Sequence, residues 1–280
     1  MCYKILIVLT RAFDPNAAGV QRSTYKISSY FKNHGHQTHV YSYVEKGHAM
    51  QDVAKLHAAC QPGMHKTKAN NTKLQQLIID IKPDVVINQM PYEREIGKAI
   101  ASIHKNQRFL LLGCLRNTLF SVKLNLESYL QSIAPKSLYP LLNNPIGRKI
   151  ALEIHKSKHA KDLKFILDTY DYFVMFGPPN KKELKYFVGD YKLNKTHLIP
   201  NSILEVLGEV PKKEKRILWL SSVNYKQKRA DLILPFWEKV MHELPDWEFD
   251  IVGGGEAFND LQKQIEQERI PRVKMYGNQV

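Results

Sequence analysis

Two short stretches hold the residues whose types and spacing could do chemistry. In the first, Lys226, Lys228 and Arg229 stand just ahead of a helical pattern that begins at Ala230. A helix N-terminus presents unpaired N–H groups and the positive end of its dipole, so cations beside it make a place for a phosphate-like anion. The same cluster also fits a solvated, charged helix start. In the second, Val252-Gly253-Gly254-Gly255-Glu256 closes a strand-like run and opens another helical pattern. Glycines there either let a ligand approach the backbone or only make a tight turn. A dinucleotide fingerprint would need a further glycine where Phe258 stands, which argues against NAD. His34, His36 and His39 have a spacing that invites a metal, but they straddle a helix end and an alternating strand, where a bland role is expected. No Gly-x-Ser-x-Gly elbow, Ser-His-Asp set or Walker A loop occurs.

The elements that must position these residues alternate in kind. Lys4–Leu9 is a short apolar run with β-branched residues, the pattern of a buried parallel strand. A polar loop to Gly19 leads into a helical face carrying Val20, Tyr25, Ile27, Tyr30 and Phe31, which stops at Gly35. His39–Val44 alternates like a second strand; Leu74–Ile81 is helical and ends before Pro83. Asp84–Asn88, Phe109–Cys114 and Tyr172–Phe176 are further strands, the last followed by the breaker Gly177-Pro178-Pro179, and His197–Asn201 is a strand end and turn. The tail repeats the rhythm: strand Arg216–Ser221, helix Ala230–Glu243, strand Trp247–Val252, helix Glu256–Arg269, strand Val273–Tyr276. Strands alternating with helices predict parallel sheets. The boundary is expected at Ile203–Lys215, where Gly208, Pro211 and the run Lys212-Lys213-Glu214-Lys215 interrupt the pattern.

Composition narrows the partners. The net charge of +14 favours polyanions: nucleic acid, an anionic membrane face or phosphorylated ligands. No nucleic-acid signature accompanies the charge, so a nucleic-acid partner is not expected. Cys2, Cys60 and Cys114 are odd in number and far apart, which excludes a disulfide framework and points to a reducing compartment. The longest apolar stretch, Phe109–Leu115, falls far short of the ~20 residues that span a bilayer. The apolar run at the N-terminus is too short and wrongly flanked for a signal peptide.

With the elements in order, a resemblance emerges. Trp219–Leu234 with its Gln227-Lys228-Arg229, then Pro245-Asp246-Trp247 and a strand ending Val252-Gly253-Gly254-Gly255, resembles family 4 glycosyltransferases, in particular the bacterial enzymes that build surface polysaccharides. Ala17-Ala18-Gly19-Val20-Gln21-Arg22 is similar to that family's Gly-Gly loop after the first strand. Gly35-His36, Pro83-Asp84-Val85-Val86 and Ile199-Pro200-Asn201-Ser202 recur in the family's order. The resemblance covers nearly the whole chain. It implies an α/β, GT-B-like fold of two Rossmann-like parallel-sheet domains: an acceptor domain over residues 1–205 and a partial nucleotide-sugar-binding domain over 206–280. It implies retaining transfer of a sugar from a nucleotide-sugar donor to a glycan acceptor, lipid-linked, in surface polysaccharide synthesis. The donor's own phosphate would take the acceptor proton, with no metal or other cofactor. The donor-binding positions it implies are Gly19, Ser222, Lys228, Arg229, Gly255 and Glu256, with Lys228 the first choice for the diphosphate.

Departures from the pattern matter equally. Ser222 stands where the family places a diphosphate-binding Arg, and Ala18 replaces the first glycine of the loop. A His-Asn common after the Phe109–Leu115 strand reads Arg116-Asn117 here. These two are the candidates for a catalytic role, although a guanidinium can hold a phosphate but cannot act as a base. The family's two glutamates, about two helical turns apart, should lie beyond Val280; the similar separation of Glu248 and Glu256 is taken as chance. In a sheet ordered 3-2-1-4-5-6 the ligand sits between strands 1 and 4. Ile217–Ser221, Phe249–Val252 and Val273–Tyr276 would be strands 1, 2 and 3, leaving Ile217, Leu218, Trp219 and Leu220 on an exposed edge. The second domain is therefore expected to be incomplete and the chain a weak or inactive catalyst, with donor affinity no better than about millimolar. The alternative is a non-catalytic GT-B-like binding module or partner subunit.

One segment remains. Arg148–Lys164 holds Arg148, Lys149, Lys156, Lys158, Lys161 and Lys164 beside Leu152, Ile154, Leu163, Ile166 and Leu167. It is either a solvated helix face or a membrane-surface helix. On the second alternative Arg148, Lys149, Lys156 and Lys158 meet anionic lipid, and the protein is cytoplasmic, peripheral to the cytoplasmic face of the membrane.

Overall fold

The strand Lys4–Leu9 (β1) is apolar on both faces because both faces are covered. Ile5, Ile7 and Leu9 enter one core with Phe13, Val40 and Ile87, whereas Leu6 and Val8 enter another with Tyr41, Val86 and Leu111. Each fully buried side chain of this size contributes roughly 1.5–3 kcal/mol. The computed structural model describes residues 1–14, 19–44, 52–60, 67–133, 135, 139–201 and 212–279. The chain divides into two units, Met1–Leu204 and Glu205–Val280. The predicted boundary at 203–215 falls largely outside the described residues.

In the first unit β1 is followed by α1 (Gly19–Asn33), β2 (Gln37–Ser42), β3 (Lys55–Ala58), α2 (Lys68–Ile81), β4 (Val85–Asn88), α3 (Arg94–His104) and β5 (Leu110–Cys114). The short helices α4 (Ser121–Leu124), α5 (Leu126–Ile133) and α6 (Tyr139–Leu142) precede the long α7 (Pro145–Thr169), then β6 (Tyr172–Met175), α8 (Pro178–Val188) and β7 (Thr196–Leu198). The described strands form a parallel sheet ordered β3-β2-β1-β4-β5-β6-β7. The winding reverses between β1 and β4, so a crevice opens there beyond the strands' C-terminal ends.

In the second unit β8 (Arg216–Leu220), the single turn α9 (Tyr225–Lys228), α10 (Ile233–Val240), β9 (Glu248–Val252), α11 (Phe258–Gln267) and β10 (Val273–Gly277) make a parallel sheet ordered β10-β9-β8. Its core gathers Ile233, Leu234 and Trp237 of α10 over Phe249 and Ile251 of β9. Two parallel sheets, each with covering helices, make the α/β, GT-B-like architecture.

Several expectations need correction. Gly177-Pro178-Pro179 does not break the chain but starts α8, with Gly177 at the N-cap; proline suits the first helical turn because its missing N–H is unneeded there. The helix expected over Ala230–Glu243 begins later, because Arg229 takes a left-handed conformation (φ 54°) and Ala230–Leu232 is a 3₁₀ turn. The edge strand is also only half as apolar outside as expected: Leu218 and Leu220 are exposed, whereas Ile217 and Trp219 turn inward onto the core.

Candidate functional site

In the first unit the groups that could bind a ligand gather where the winding reverses. β1 delivers the chain to α1, whose first turn carries no acidic residue and whose Gly19 has no neighbour among the described residues within 4 Å of where a Cβ would stand. Free N–H groups of a first turn attract anions, and an acidic side chain there would oppose one. The preceding Ala17 and Ala18 lie outside the described residues. Within that first turn, Gln21 is buried with its Oε1 unpartnered among the described residues.

β4 ends in Asn88, whose Nδ2 donates to the Tyr170 hydroxyl at 2.6 Å and whose Oδ1 accepts from Met90 N at 2.9 Å. That pair shapes the turn after the strand and holds Gln89, which is fully buried. Neither the Oε1 nor the Nε2 of Gln89 has a partner among the described residues. A buried amide left unpaired costs roughly 1–3 kcal/mol, so it needs an explanation such as an absent ligand or water. Gln89 escaped the sequence analysis, since a lone glutamine after an apolar run carries no signal by itself.

After β5 come the two catalytic candidates. Arg116 is half-buried, with its Nε unpartnered among the described residues, and burial pulls its pKa down, partly offset by Cys114. Asn117 is exposed. The loop beyond them is pinned by Glu183, whose carboxylate accepts from Thr118 Oγ1 at 2.6 Å and Leu119 N at 2.8 Å. His34, His36 and His39 go separate ways, to Tyr30 O, Tyr3 N and His57, and do not converge.

In the second unit Asn224 organises the turn after β8. Its Oδ1 accepts from Lys228 N at 3.0 Å, its backbone O from Ala230 N at 3.0 Å, and its Nδ2 donates to the exposed Ser222 hydroxyl at 2.9 Å. Lys228 therefore sits at the end of α9 rather than ahead of a long helix. Its ammonium is exposed and has no partner among the described residues. Arg229 instead grips Asp231 through Nε at 2.9 Å and Nη2 at 2.7 Å, and that bond lowers the Asp231 pKa.

The glycine turn after β9 is filled by backbone. A Cβ at Gly253 would stand 2.0 Å from Ser221 O. Val223 N donates to Gly254 O at 2.9 Å, and Ala257 N donates to Val223 O at 3.1 Å, so the β8 and β9 loops clamp together. What approaches these glycines is the neighbouring loop. Glu256 is exposed beside the start of α11, and Glu248 is bound to Lys274 at 2.9 Å and Arg216 at 3.4 Å, so the two glutamates share no site. The second unit thus brings Ser222, Lys228 and Gly255 around one pair of loops, whereas Gly19, Arg116 and Asn117 belong to the first unit. Away from those loops, a cavity of about 600 Å³ lies along β8 and α10, lined by Ile217, Trp219, Pro235, Phe236 and Lys239 among others. Its walls are too apolar for a diphosphate.

No protein-family model and no curated protein sequence matches the chain. Solved structures do. HepE from Anabaena, in complex with UDP and glucose, matches over 99% of this chain and 70% of its own, with TM-score 0.66 at 12% identity. WaaB, a lipopolysaccharide outer core galactosyltransferase, matches over 99% and 68%, with TM-score 0.59 at 13% identity. WaaG, a glycosyltransferase involved in lipopolysaccharide biosynthesis, matches over 98% and 70%, with TM-score 0.59 at 13% identity. The shared feature at this identity is the fold: both parallel sheets in GT-B order.

Proposed function

We propose that this chain transfers a sugar from a nucleoside-diphosphate-sugar donor to a glycan acceptor. The observation that carries the proposal is the likeness over nearly the whole chain to a structure holding UDP and glucose. The site geometry supports it. The second unit offers the uncommitted ammonium of Lys228 beside the clamped loops for the diphosphate. The first unit offers Gly19, the α1 N-terminus, Gln89 and Arg116 for the acceptor and the transferred sugar.

On this reading the acceptor oxygen bonds to the anomeric carbon on the face from which the nucleoside diphosphate departs, and the leaving phosphate oxygen takes the acceptor proton. Configuration is retained without a protein nucleophile. Rate then comes from positioning and from neutralising the diphosphate, a task assigned to Lys228 and helix N-termini rather than to a metal ion. The acceptor is lipid-linked, at the cytoplasmic face of a membrane, in the assembly of a surface polysaccharide.

One observation favours a second reading. Ser222 supplies no charge and Arg229 is engaged by Asp231, which leaves Lys228 as the uncommitted cation among the described side chains at the loops. A non-catalytic binding module would have that sparse a site. The deciding experiment measures release of nucleoside diphosphate from a panel of donor sugars, with glycan acceptor and with EDTA present. Acceptor-dependent release that survives EDTA and is lost in Lys228→Ala supports transfer. Donor binding without release supports the module.

A further inference from the structure

The long helix α7 carries apolar residues on two opposite sides. Leu163, Ile166 and Leu167, in its second half, are buried in the first unit's core. In its first half Ile146, Ile150 and Ile154 are 73, 54 and 63% exposed. Positions four apart advance only about 40° around a helix, so these three make one outward stripe. Three isoleucines exposed on a single helix face are not explained by packing against the described residues. Scattered exposed apolar residues are ordinary, whereas an aligned set marks a surface that meets something.

The charge around the stripe says what that is. Lys149 in this half, and Lys158 and Lys161 just past it, are exposed, and Glu153 is the one acidic residue of the first half. The expected basic set divides accordingly. Arg148 is half-buried and donates to Asn143 Oδ1 at 3.1 Å, and Lys156 lies over the Tyr186 ring at 4.4 Å, so both turn inward. Lys149 and Lys158 are the two that flank the stripe. A second copy of this chain would bring the same lysines against each other. An anionic bilayer instead offers hydrocarbon for the isoleucines and phosphate for the lysines, the arrangement in which an amphipathic helix lies in the membrane interface. Among the described residues no helix is long and apolar enough to cross a membrane, so contact through α7 would be along the surface.

We infer that the outward face of α7, built on Ile146, Ile150 and Ile154 with Lys149 and Lys158, docks the protein onto an anionic lipid surface. The inference rests on the membrane location proposed above and names the surface that achieves it.

Sedimentation of the full chain with phosphatidylcholine vesicles, with and without phosphatidylglycerol, tests it. Binding is expected only with the anionic lipid, and it should weaken as salt rises. Replacing Ile146, Ile150 and Ile154 together by Ser should reduce partitioning by about tenfold or more. Lys149→Gln and Lys158→Gln should each cost about fivefold at low salt. The triple variant Lys212→Gln, Lys213→Gln, Lys215→Gln removes as much charge elsewhere and should bind nearly as the parent does. All substituted positions are exposed, and unchanged melting curves would exclude misfolding. Three results would overturn the inference: equal binding to neutral and anionic vesicles, isoleucine variants that bind like the parent, or a dimer in the analytical ultracentrifuge that the isoleucine variant abolishes. Donor titration in parallel separates the two proposals. Donor binding with no vesicle binding sinks only this one, and vesicle binding with no donor binding sinks only the transfer reading.

Discussion

A β-carbon placed on Gly255 would lie 2.3 Å from the carbonyl oxygen of Val223. Gly255 also holds φ at 152°, where an L side chain is strained whatever the space. The close approach lets Ala257 N reach Val223 O, and so fixes the loop after β8 against the turn after β9. Gly255→Ala must therefore push the loops apart. It should cost the second unit about 2–4 kcal/mol. Hydrogen exchange is the appropriate readout, because a two-unit chain need not unfold in one step. Faster exchange across β8 and β9, with the first unit unchanged, is expected; uniform protection would contradict the clamp.

Gln89 makes the opposite prediction. Its amide is buried with both polar atoms unpartnered among the described residues, so Leu of similar size removes a desolvation cost. Gln89→Leu should leave the first unit's melting temperature unchanged or raise it, while KM for the acceptor rises. A fall in melting temperature with unchanged KM would make Gln89 a structural residue.

Acid should destabilise the first unit through His159. Burial lowers its pKa from 6.5 to about 4, with His155 adding to the shift and Asp162 opposing it. The ring is stacked on Tyr92 at 5.5 Å and meets the edge of Phe187 at 4.8 Å. Its folded pKa lies below its unfolded one, so between them the unfolded chain takes up the proton first. Stability from the neutral ring is complete above 6.5 and lost as pH falls toward 4. His57, also lowered to about 4 by burial and by His39, acts in the same direction. Melting curves from pH 7 to 4 should show the loss, and His159→Phe, which keeps the aromatic contacts, should flatten it. An unchanged slope in that variant would rule His159 out as a source.

Strands were the legible part of the sequence. β1, β4 and β5 are largely buried on both faces, so their apolar runs stand out, and the order of the strands already specified parallel sheets. Helices were less legible where their faces conflict. α7 carries apolar residues on opposite sides, so its charges and apolar residues between Arg148 and Lys164 were legible as a mixed segment, but the outward stripe of Ile146, Ile150 and Ile154 was not. Pro178 and Pro179 looked like a stop because proline opens helices as readily as it ends them. At the candidate site, Lys228 and the glycine turn were visible as types and spacing. That Arg229 would be held by Asp231, and that the glycines would be occupied by the Ser221–Val223 backbone, depends on contacts between loops distant in sequence.

The role of Lys228 can be separated from that of its neighbour. Lys228→Ala should weaken donor binding by about tenfold, since a charged hydrogen bond to a phosphate is among the stronger polar contacts. Arg229→Gln removes the grip on Asp231 and should loosen the turn, which exchange at Ala230–Leu232 would report. Its effect on donor affinity should be smaller than that of Lys228→Ala, and the reverse order would move the phosphate contact to Arg229.

Calorimetric titration of the chain with uridine, guanosine and adenosine diphospho-sugars tests the central claim most directly. With Lys228 the uncommitted cation among the described side chains at the loops, binding of at least one donor is predicted at about millimolar affinity, weakened in Lys228→Ala and unchanged by EDTA. No binding of any diphospho-sugar, or equal binding by the parent and Lys228→Ala, would contradict it.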